Sequence, residues 1–388
     1  MGGANEGVGS SFLILFPAYK EDAVIVSSVQ SVLKQDYPKE LFHICVISDH
    51  MLPETNRQLA QLPLTLLQPT FEKSSKAKAL QYAMKAHPLP LSAGRGEDAS
   101  WVEKPQQGNC TPLYREGQGV GLYVVILDAD NVVEPDFLKR LNTVCQQGHQ
   151  AIQCHRTAKN SNNSIAALDG ISEEINNSLF RRGHSRIGLS AGLIGSGMCF
   201  DYGLFAKDVT RLSSAVEDRE LEGLLARQGV HIHYAEGIMV YDEKVSSCDN
   251  FQRQRLRWMS GQVQTLFMML PYLPKAILRG NVNYVDKTIQ QALIPRSLLL
   301  LFTPPLAVLF TLVSLFTIHY SPFTIFRWWL LFAAQCLAIF LAIPSRLRQR
   351  AMPHALHVPR MAWLMAKNLL RIRLSDKEFH HTTHSMRG

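Results

Sequence analysis

The chain has 388 residues and carries 40 Lys or Arg against 32 Asp or Glu, a formal net charge of +8. This length exceeds the ~250 to 300 residues at which chains usually divide, so we expect one soluble domain plus an appendage. Seven cysteines stand singly, without a Cys-x-x-Cys, which argues against a zinc site and a disulfide framework. The positive charge is concentrated after Ile343 rather than in a recognisable nucleic-acid module, so no nucleic-acid partner is expected.

The first third of the chain alternates between strand and helix patterns. Residues 1–11 are Gly-rich and polar, so no cleavable signal peptide is expected. The predicted strands are Phe12–Phe16, Ile44–Ile47, Leu64–Leu67 and Tyr123–Leu127, and the predicted helices are Asp22–Gln35 and Ser75–Ala86. Such alternation predicts a doubly wound α/β sheet, whose ligands bind beyond the carboxyl ends of the strands. Asp49 and Asp128 follow two of these strands.

The middle of the chain contains one segment without periodicity. Residues 88–120 are rich in Gly, Pro and charge, which predicts a surface insertion or a partly ordered loop. The pattern then predicts a helix over Ile165–Phe180, a Gly-rich and Ser-rich apolar segment over Gly188–Phe200, a strand over Val230–Tyr241 and a long helix over Asn250–Leu270.

Two apolar stretches near the C-terminus predict a membrane hairpin. Ser297–Tyr320 and Phe323–Ile343 each approach the ~20 residues that cross a bilayer, although Pro304-Pro305 predicts a kink in the first. A buried core hairpin is the alternative. Nine basic residues against two acidic ones follow Ile343, so the positive-inside rule predicts a multi-pass protein of the inner (cytoplasmic) membrane, with its tail and its soluble domain in the cytoplasm.

The basic tail contains a further amphipathic pattern. Met361–Leu374 mixes Trp, Leu and Met with Lys and Arg. This pattern predicts a helix lying in the membrane interface or, alternatively, a helix packed on the soluble domain.

Asp128 and Asp130 form the first acidic motif. Side chains two positions apart point the same way at the end of an extended strand. Their hard carboxylate oxygens suit Mg²⁺ or Mn²⁺, which would neutralise a diphosphate leaving group. The alternative is a solvated turn, and the hydrophobic strand directly before the motif argues against it.

Glu217 and Asp218 form the second acidic motif, at the predicted start of a helix. A transfer that displaces a diphosphate needs a carboxylate to accept the proton of the attacking hydroxyl, and Asp218 is the candidate base. Charge that stabilises a helix N-terminus, or a solvated acidic face, is the alternative interpretation.

Gln254, Arg257 and Trp258 lie at i, i+3 and i+4 and therefore share one face of a helix. Arg offers a fork of donors to phosphate oxygens, and Trp offers a flat apolar plate on which a sugar ring can rest. A simple positive-inside flank is the alternative for the arginines.

In this order the motifs resemble those of the family 2 glycosyltransferases, especially the membrane-bound branch with cellulose, chitin and hyaluronan synthases. The matching segments are Pro17-Ala18-Tyr19-Lys20-Glu21, Ile47-Ser48-Asp49, Lys76-Ala77-Lys78-Ala79-Leu80-Gln81, Asp128 with Asp130, Glu217-Asp218, and Gln254 with Arg257 and Trp258. The resemblance implies an α/β fold of the GT-A (Rossmann-like) type over residues 12–270, followed by two transmembrane helices over 292–344 and a basic tail over 345–388.

The resemblance also implies roles for these residues. Donor binding is expected from Tyr19, Glu21, Asp49, Lys76, Asp128, Gln254 and Arg257, metal binding from Asp130 with Asp128, catalysis from Asp218 with Glu217, and acceptor binding from Trp258. Gly195, Ser196 and Gly197 stand where the family has its acceptor floor. Residues 379–384 are similar to the gating loop of cellulose synthase, with His381 and His384 in place of its Val and Lys, so Thr382 and His384 are expected to close over the donor. A disordered basic tail is the alternative.

The resulting expectation is an inverting transferase that moves a sugar from a nucleotide donor to a lipid-linked or growing saccharide acceptor in cell-surface polysaccharide synthesis. Alternatives are a processive synthase, a non-catalytic subunit of an export complex and a nucleotidyltransferase. The two predicted spans are fewer than in cellulose-type synthases, so a separate export or pore subunit is a possible partner.

Overall fold

The computed structural model describes residues 9–87, 121–161, 163–214, 216–245, 247–316, 322–369 and 371. The predicted insertion over 88–120 and the predicted donor-closing residues Thr382 and His384 lie outside these ranges. The chain forms two compact units: one from the described parts of Met1–Arg156 and Ser190–Glu243, the other from those of Thr157–Leu189 and Lys244–Asp376.

The first unit is built on one sheet. Its strands are β1 Ser11–Tyr19, β2 Phe42–Asp49, β3 Thr65–Leu67, β4 Leu122–Ile126, β5 Val132–Val133, β6 Ala151–Ala158, β7 Met198–Asp201 and β8 Ile232–Asp242. Its helices are α1 Ile25–Leu33, α2 Pro53–Ala60, α3 Lys76–Ala86, α4 Phe137–Cys145, α7 Tyr202–Val209 and α8 Glu217–Gln228.

The sheet confirms the predicted α/β, Rossmann-like class, with parallel strands in its first half and antiparallel strands in its second half. The strand order is β3-β2-β1-β4-β7-β6-β8-β5. Strands β3, β2, β1 and β4 are parallel, whereas β7 is antiparallel to both β4 and β6, and β5 is antiparallel to β8. Sequence patterns missed β6 because the buried polar residues Gln153, His155 and Arg156 interrupt its apolar run, and they missed β7 because it ends a Gly-rich segment.

The packing of both faces of β1 explains why its sequence is apolar from Phe12 to Phe16. Phe12, Ile14 and Phe16 belong to the hydrophobic cluster on one face of the sheet, and Leu13 and Leu15 to the cluster on the other face. Because both faces are covered by packed side chains, alternation with polar residues is absent. The predicted strands at the start of the chain therefore correspond to β1, β2, β3 and β4.

The second unit is helical. Its helices are α5 Ser164–Asn176, α6 His184–Arg186, α9 Cys248–Met269, α10 Leu273–Leu278, α11 Val282–Ala292, α12 Arg296–Phe316, α13 Pro322–Ala342, α14 Ser345–Ala351 and α15 Val358–Leu369, with a π-helical segment over Asn177–Gly183. The proline pair Pro304-Pro305 lies inside α12 and does not end it.

Helix α15 covers most of the segment expected in the membrane interface. Its Met361 shares a hydrophobic cluster with Phe251 of α9, and its Asn368 Nδ2 donates to the Gln252 carbonyl over 2.9 Å. The helix therefore packs on α9 of the second unit, while Trp363 stays 56% exposed. Its place in a membrane interface or on the soluble domain stays a prediction.

The two apolar stretches form α12 and α13, which pack against each other. The rings of Phe310 and Trp328 stack with centroids 5.0 Å apart, and Trp329 Nε1 donates to Thr311 Oγ1 over 3.2 Å. Among the described residues, Arg296–Ser314 is one helix long and apolar enough to cross a membrane. A second would count only if Phe326–Ala342 and Ser345–Leu369, bent by 117°, formed one span.

Candidate active site

Two predicted donor residues meet at the carboxyl ends of β1 and β2. Tyr19 and Asp49 are the last residues of these strands and are register partners in the parallel ladder. Asp49 is buried at 3% exposure, and its Oδ1 lies 2.6 Å from His50 Nδ1. Lys20 and His50 both take left-handed backbone angles, with φ of 54°. The chain thus turns sharply after each of the two strands. Tyr19, Glu21 and Asp49 lie at the carboxyl edge of the sheet.

A cluster of three carboxylates lies beyond β4 and β8. Asp128, Asp130 and Asp242 each offer an oxygen, and these oxygens lie within 4.8 Å of one another. Asp128 and Asp130 follow β4, while Asp242 is the last residue of β8, 112 positions after Asp130. The sequence therefore did not identify Asp242 as a member of this cluster. Its position directly after the predicted strand Val230–Tyr241 could have indicated it.

Asn131 joins the three acids. Its side chain is fully buried, its Nδ2 donates to Asp130 and to Asp242 over 3.2 Å each, and its Oδ1 accepts from the Asp128 amide over 3.0 Å. The Glu243 amide donates to Asp130 Oδ2 over 2.9 Å. These contacts orient the three carboxylates toward one another. Such a set of hard, clustered oxygen donors fits Mg²⁺ or Mn²⁺.

Lys76, the first residue of α3, contacts both the three-carboxylate cluster and the second acidic motif. Its Nζ donates to Asp128 Oδ1 and to the Gly195 carbonyl, the latter over 2.7 Å, and lies 3.5 Å from Glu217 Oε1. Burial alone would lower the pKa of Lys76, but the charges of Asp128 and Glu217 outweigh it and raise the pKa above its ordinary value. Lys76 is therefore a permanent cation here.

Glu217 and Asp218 begin α8 and differ in environment. Glu217 is buried at 9% exposure, and this burial raises its pKa to about 7 despite the opposing charge of Lys76. Asp218 is half-buried and accepts from the Arg219 amide over 2.9 Å. Because Asp218 is the more accessible carboxylate, it suits a base that meets an incoming hydroxyl, whereas Glu217 suits a buried partner of Lys76.

The predicted acceptor segment reaches the same acids. Gly195 has a φ of 84°, and a Cβ at this position would lie 3.6 Å from Asp218 Oδ2 and 3.8 Å from Lys76 Nζ. Ser196 is fully buried, and its Oγ lies 3.4 Å from Arg156 Nη1. Gly197 follows with a φ of 63°. The loop backbone, rather than the Ser196 side chain, therefore approaches Asp218.

Arg156 is a site residue that the sequence did not reveal. Its Nη1 donates to the Ile194 carbonyl over 3.0 Å and lies 4.0 Å from Asp128 Oδ2, while its Nε lies 3.8 Å from Asp242 Oδ2. This buried cation offsets part of the repulsion between the carboxylates. It comes from the end of β6, a strand that the sequence pattern concealed.

The third motif lies in the second unit, on α9. Gln254, Arg257 and Trp258 are each partly buried, and Gln254 Oε1 is buried with no hydrogen-bond partner within the described part of the chain. A buried polar atom without a protein partner is a feature of ligand sites. Convergence of this motif with the acids of the first unit stays a prediction.

Comparison with known proteins identifies the family. Residues 123–343, more than half of the chain, match the model for "Glycosyl transferase family group 2". No curated protein matches.

Three solved structures are similar to this chain at low sequence identity. The mannosyltransferase PcManGT from Pyrobaculum calidifontis, solved with GDP-Man and Mn²⁺, is 15% identical, with 96% of this chain and 91% of that chain covered and a TM-score of 0.49. TarS 1–349 from S. aureus is 13% identical, with coverages of 93% and 89% and a TM-score of 0.44. Glucosyl-3-phosphoglycerate synthase from Mycobacterium tuberculosis, solved with Mn²⁺, UDP and glucosyl-3-phosphoglycerate, is 16% identical, with coverages of 67% and 80% and a TM-score of 0.41.

The family model carries the assignment by itself, and its span contains both acidic motifs and the Gln-x-x-Arg-Trp motif of α9. The chain therefore belongs to the family 2 glycosyltransferases and is an enzyme of sugar transfer.

Proposed function

We propose that this protein is a membrane-anchored, inverting glycosyltransferase that moves a sugar from a nucleotide-sugar donor to a lipid-linked or growing saccharide acceptor. The observation that carries the proposal is the grouping, in one unit, of a three-carboxylate cluster with Lys76, Glu217 and Asp218. Lys76 contacts Asp128 of the first group and Glu217 of the second. A donor diphosphate and a proton acceptor would therefore share one site.

Asp128, Asp130 and Asp242 would hold the divalent ion. Such an ion, when bound, supplies charge stabilisation to a leaving diphosphate. Lys76 and Arg156 are the nearby cations of this chain, and Arg257 with Gln254 would add donors from α9. Tyr19, Glu21 and Asp49, at the carboxyl ends of β1 and β2, would receive the nucleotide.

The reaction we propose is a single displacement. The acceptor oxygen attacks the anomeric carbon while the bond from that carbon to the donor phosphate breaks, and the hydroxyl proton passes to Asp218. Fixed charges that face the developing diphosphate commonly make the largest contribution to such catalysis. Trp258 would carry the acceptor sugar on its indole face.

Exposed apolar surface supports the membrane part of the proposal. Large apolar side chains along α12 and α13 are exposed at 37% or more; these are Leu299, Phe302, Leu306, Leu309, Leu312, Phe316, Leu330, Leu331, Leu337 and Leu341. Contact with water is unfavourable for an apolar surface of this size, whereas lipid chains would cover it. The basic tail after Ile343 supports a cytoplasmic site at the inner membrane.

Asp218→Asn tests the base assignment. The amide has the same shape but accepts no proton, so we expect sugar transfer to fall by about 100-fold or more, while binding of UDP or GDP with Mn²⁺ stays within about twofold of wild type. Purified protein in nanodiscs would be incubated with a panel of UDP-, GDP- and dTDP-sugars, with native membranes as the acceptor source. Released nucleoside diphosphate is the readout.

Asp136→Asn is the matched control, because the Asp136 side chain is 49% exposed before α4, makes no cap hydrogen bond and forms a long, exposed ion pair with Arg140 at 3.9 Å. The control should transfer sugar like the wild type. Normal turnover by Asp218→Asn would refute Asp218 as the base. A wild-type protein that releases no diphosphate from any donor would instead favour the non-catalytic export subunit, and long products on a gel would favour a processive synthase.

A further inference from the structure

Arg255 lies inside the α9 motif between two aromatic rings. Its guanidinium carbon is 4.8 Å from the ring centroid of Phe251 and 4.3 Å from that of Trp258. Phe251 precedes Arg255 by four residues and Trp258 follows it by three, so all three share one face of the helix. The guanidinium therefore stacks against both rings.

A buried carboxylate holds this guanidinium in place. Arg255 Nη2 donates to Asp169 Oδ1 of α5, and the two side chains are only 12% and 6% exposed. Asp169, α5 and α9 all belong to the second unit. Because the pair is shielded from water, solvent screens the attraction between its two charges less than it would in a surface pair.

The Nε of Arg255 adds no polar contact to the pair with Asp169. This nitrogen is buried and has no hydrogen-bond partner within the described part of the chain. A lysine at this position would retain the charge and the contact with Asp169, but it lacks the planar group that stacks on an aromatic face. Stacking on the two rings therefore depends on the planar guanidinium.

The neighbouring Arg253 offers a contrast on the same helix. It is exposed, and its Nη2 donates to Asn250 Oδ1 within α9 over 2.6 Å. Arg253 and Arg255 therefore differ in exposure and in their partners. One is stacked and paired across helices, and the other lies at the surface.

We propose that Arg255, held by Asp169, is a positioning residue that fixes the plane of the Trp258 indole on which the acceptor sugar rests. This inference deepens the proposed function and rests on it for the acceptor. A tryptophan without such a contact would rotate about its side-chain bonds, and a flat platform binds a sugar ring only in the right orientation. Arg255 itself need not touch the substrate.

The test uses the full chain labelled with 5-fluorotryptophan in nanodiscs. The fluorine resonance of Trp258 is assigned by its loss in Trp258→Phe. In Arg255→Lys and in Asp169→Asn we expect this resonance to move by more than its line width or to split, whereas in Arg253→Lys it should stay in place. The apparent KM for native membranes as acceptor should rise about tenfold in the first two variants, the loss expected from a cation–π contact of this kind, while the donor KM stays unchanged.

An unchanged resonance in both Arg255→Lys and Asp169→Asn would overturn the proposal, and so would a moved resonance with an unchanged acceptor KM. The two variants act on opposite partners of one contact, so a folding defect in one leaves the other informative. Failure of the proposed function looks different, because the wild type would then release no nucleoside diphosphate from any donor.

Discussion

At the scale of residues, the candidate site is governed by charges held close together. Three carboxylates whose oxygens lie within 4.8 Å repel one another, and Asn131, Lys76 and Arg156 offset this repulsion only in part. A divalent cation would neutralise the cluster more completely than these groups do. The three carboxylates could therefore hold a ligand that brings positive charge.

Asp242→Asn should weaken metal binding. The amide keeps the shape and the contact with Asn131 but removes one negative charge from the cluster, so we expect the Mn²⁺ affinity in the presence of GDP or UDP to fall by at least about tenfold. Loss of the free Mn²⁺ signal in electron paramagnetic resonance measures this affinity. Asp36→Asn, at an exposed surface pair with Lys139, is the control. An Asp242→Asn protein that binds Mn²⁺ as the wild type does would exclude Asp242 as a ligand.

At the scale of elements, the segment before β7 anchors the loop of Gly195, Ser196 and Gly197 in the sheet. Gly197 donates its amide to the Ile126 carbonyl of β4 over 2.9 Å, and its carbonyl accepts from the Cys154 amide of β6 over 2.7 Å. The loop is thus fastened between two strands. This fastening places the Gly195 backbone beside Asp218 and Lys76.

Gly197→Ala should destabilise the first unit. The left-handed φ of 63° disfavours any side chain by about 1 to 2 kcal/mol, and the new Cβ would lie 3.0 Å from Val240 Cγ2. Gly229→Ala is the matched comparison, because Gly229 has a φ of 78° but open space around it. We expect the melting temperature to drop more in Gly197→Ala than in Gly229→Ala. Equal drops would show that packing against Val240 adds nothing.

At the scale of the whole molecule, apolar surface and charge are distributed unevenly along the chain. The first unit buries its apolar residues on both faces of the sheet. The second unit contains α12 and α13, whose large apolar side chains remain exposed. A protein built in this way should partition into lipid through the hairpin alone.

Membrane extraction checks this expectation. After expression of the full chain, we expect the protein to stay in the membrane pellet through alkaline carbonate and high-salt washes and to enter solution only with detergent, because hydrocarbon burial is insensitive to salt. A deletion of residues 296–342 should release the protein in the salt wash. Release of the full chain by salt alone would replace the membrane hairpin with a peripheral, electrostatic attachment.

The sequence predicted the local features of the site well because each is written in adjacent residues. Strand ends at Asp49 and before Asp128, the start of α8 at Glu217 and the shared helix face of Gln254 and Trp258 follow from periodicity and spacing. The mixed sheet was not predicted, because polar residues inside β6 and glycines before β7 hide both strands.

What the sequence determined by itself is therefore the parallel strands β1 to β4, the long helix α9 and the two apolar helices, the acidic and aromatic motifs and the family to which they belong. Only the tertiary structure decided which distant residues join them: Asp242 beside Asp130, Arg156 beside Asp128, and Asp169 beside Arg255. The physical reason is that hydrophobic periodicity reports the environment of a residue along its own strand or helix. Contacts between charges far apart in the chain depend on strand order and helix packing, which no local pattern encodes.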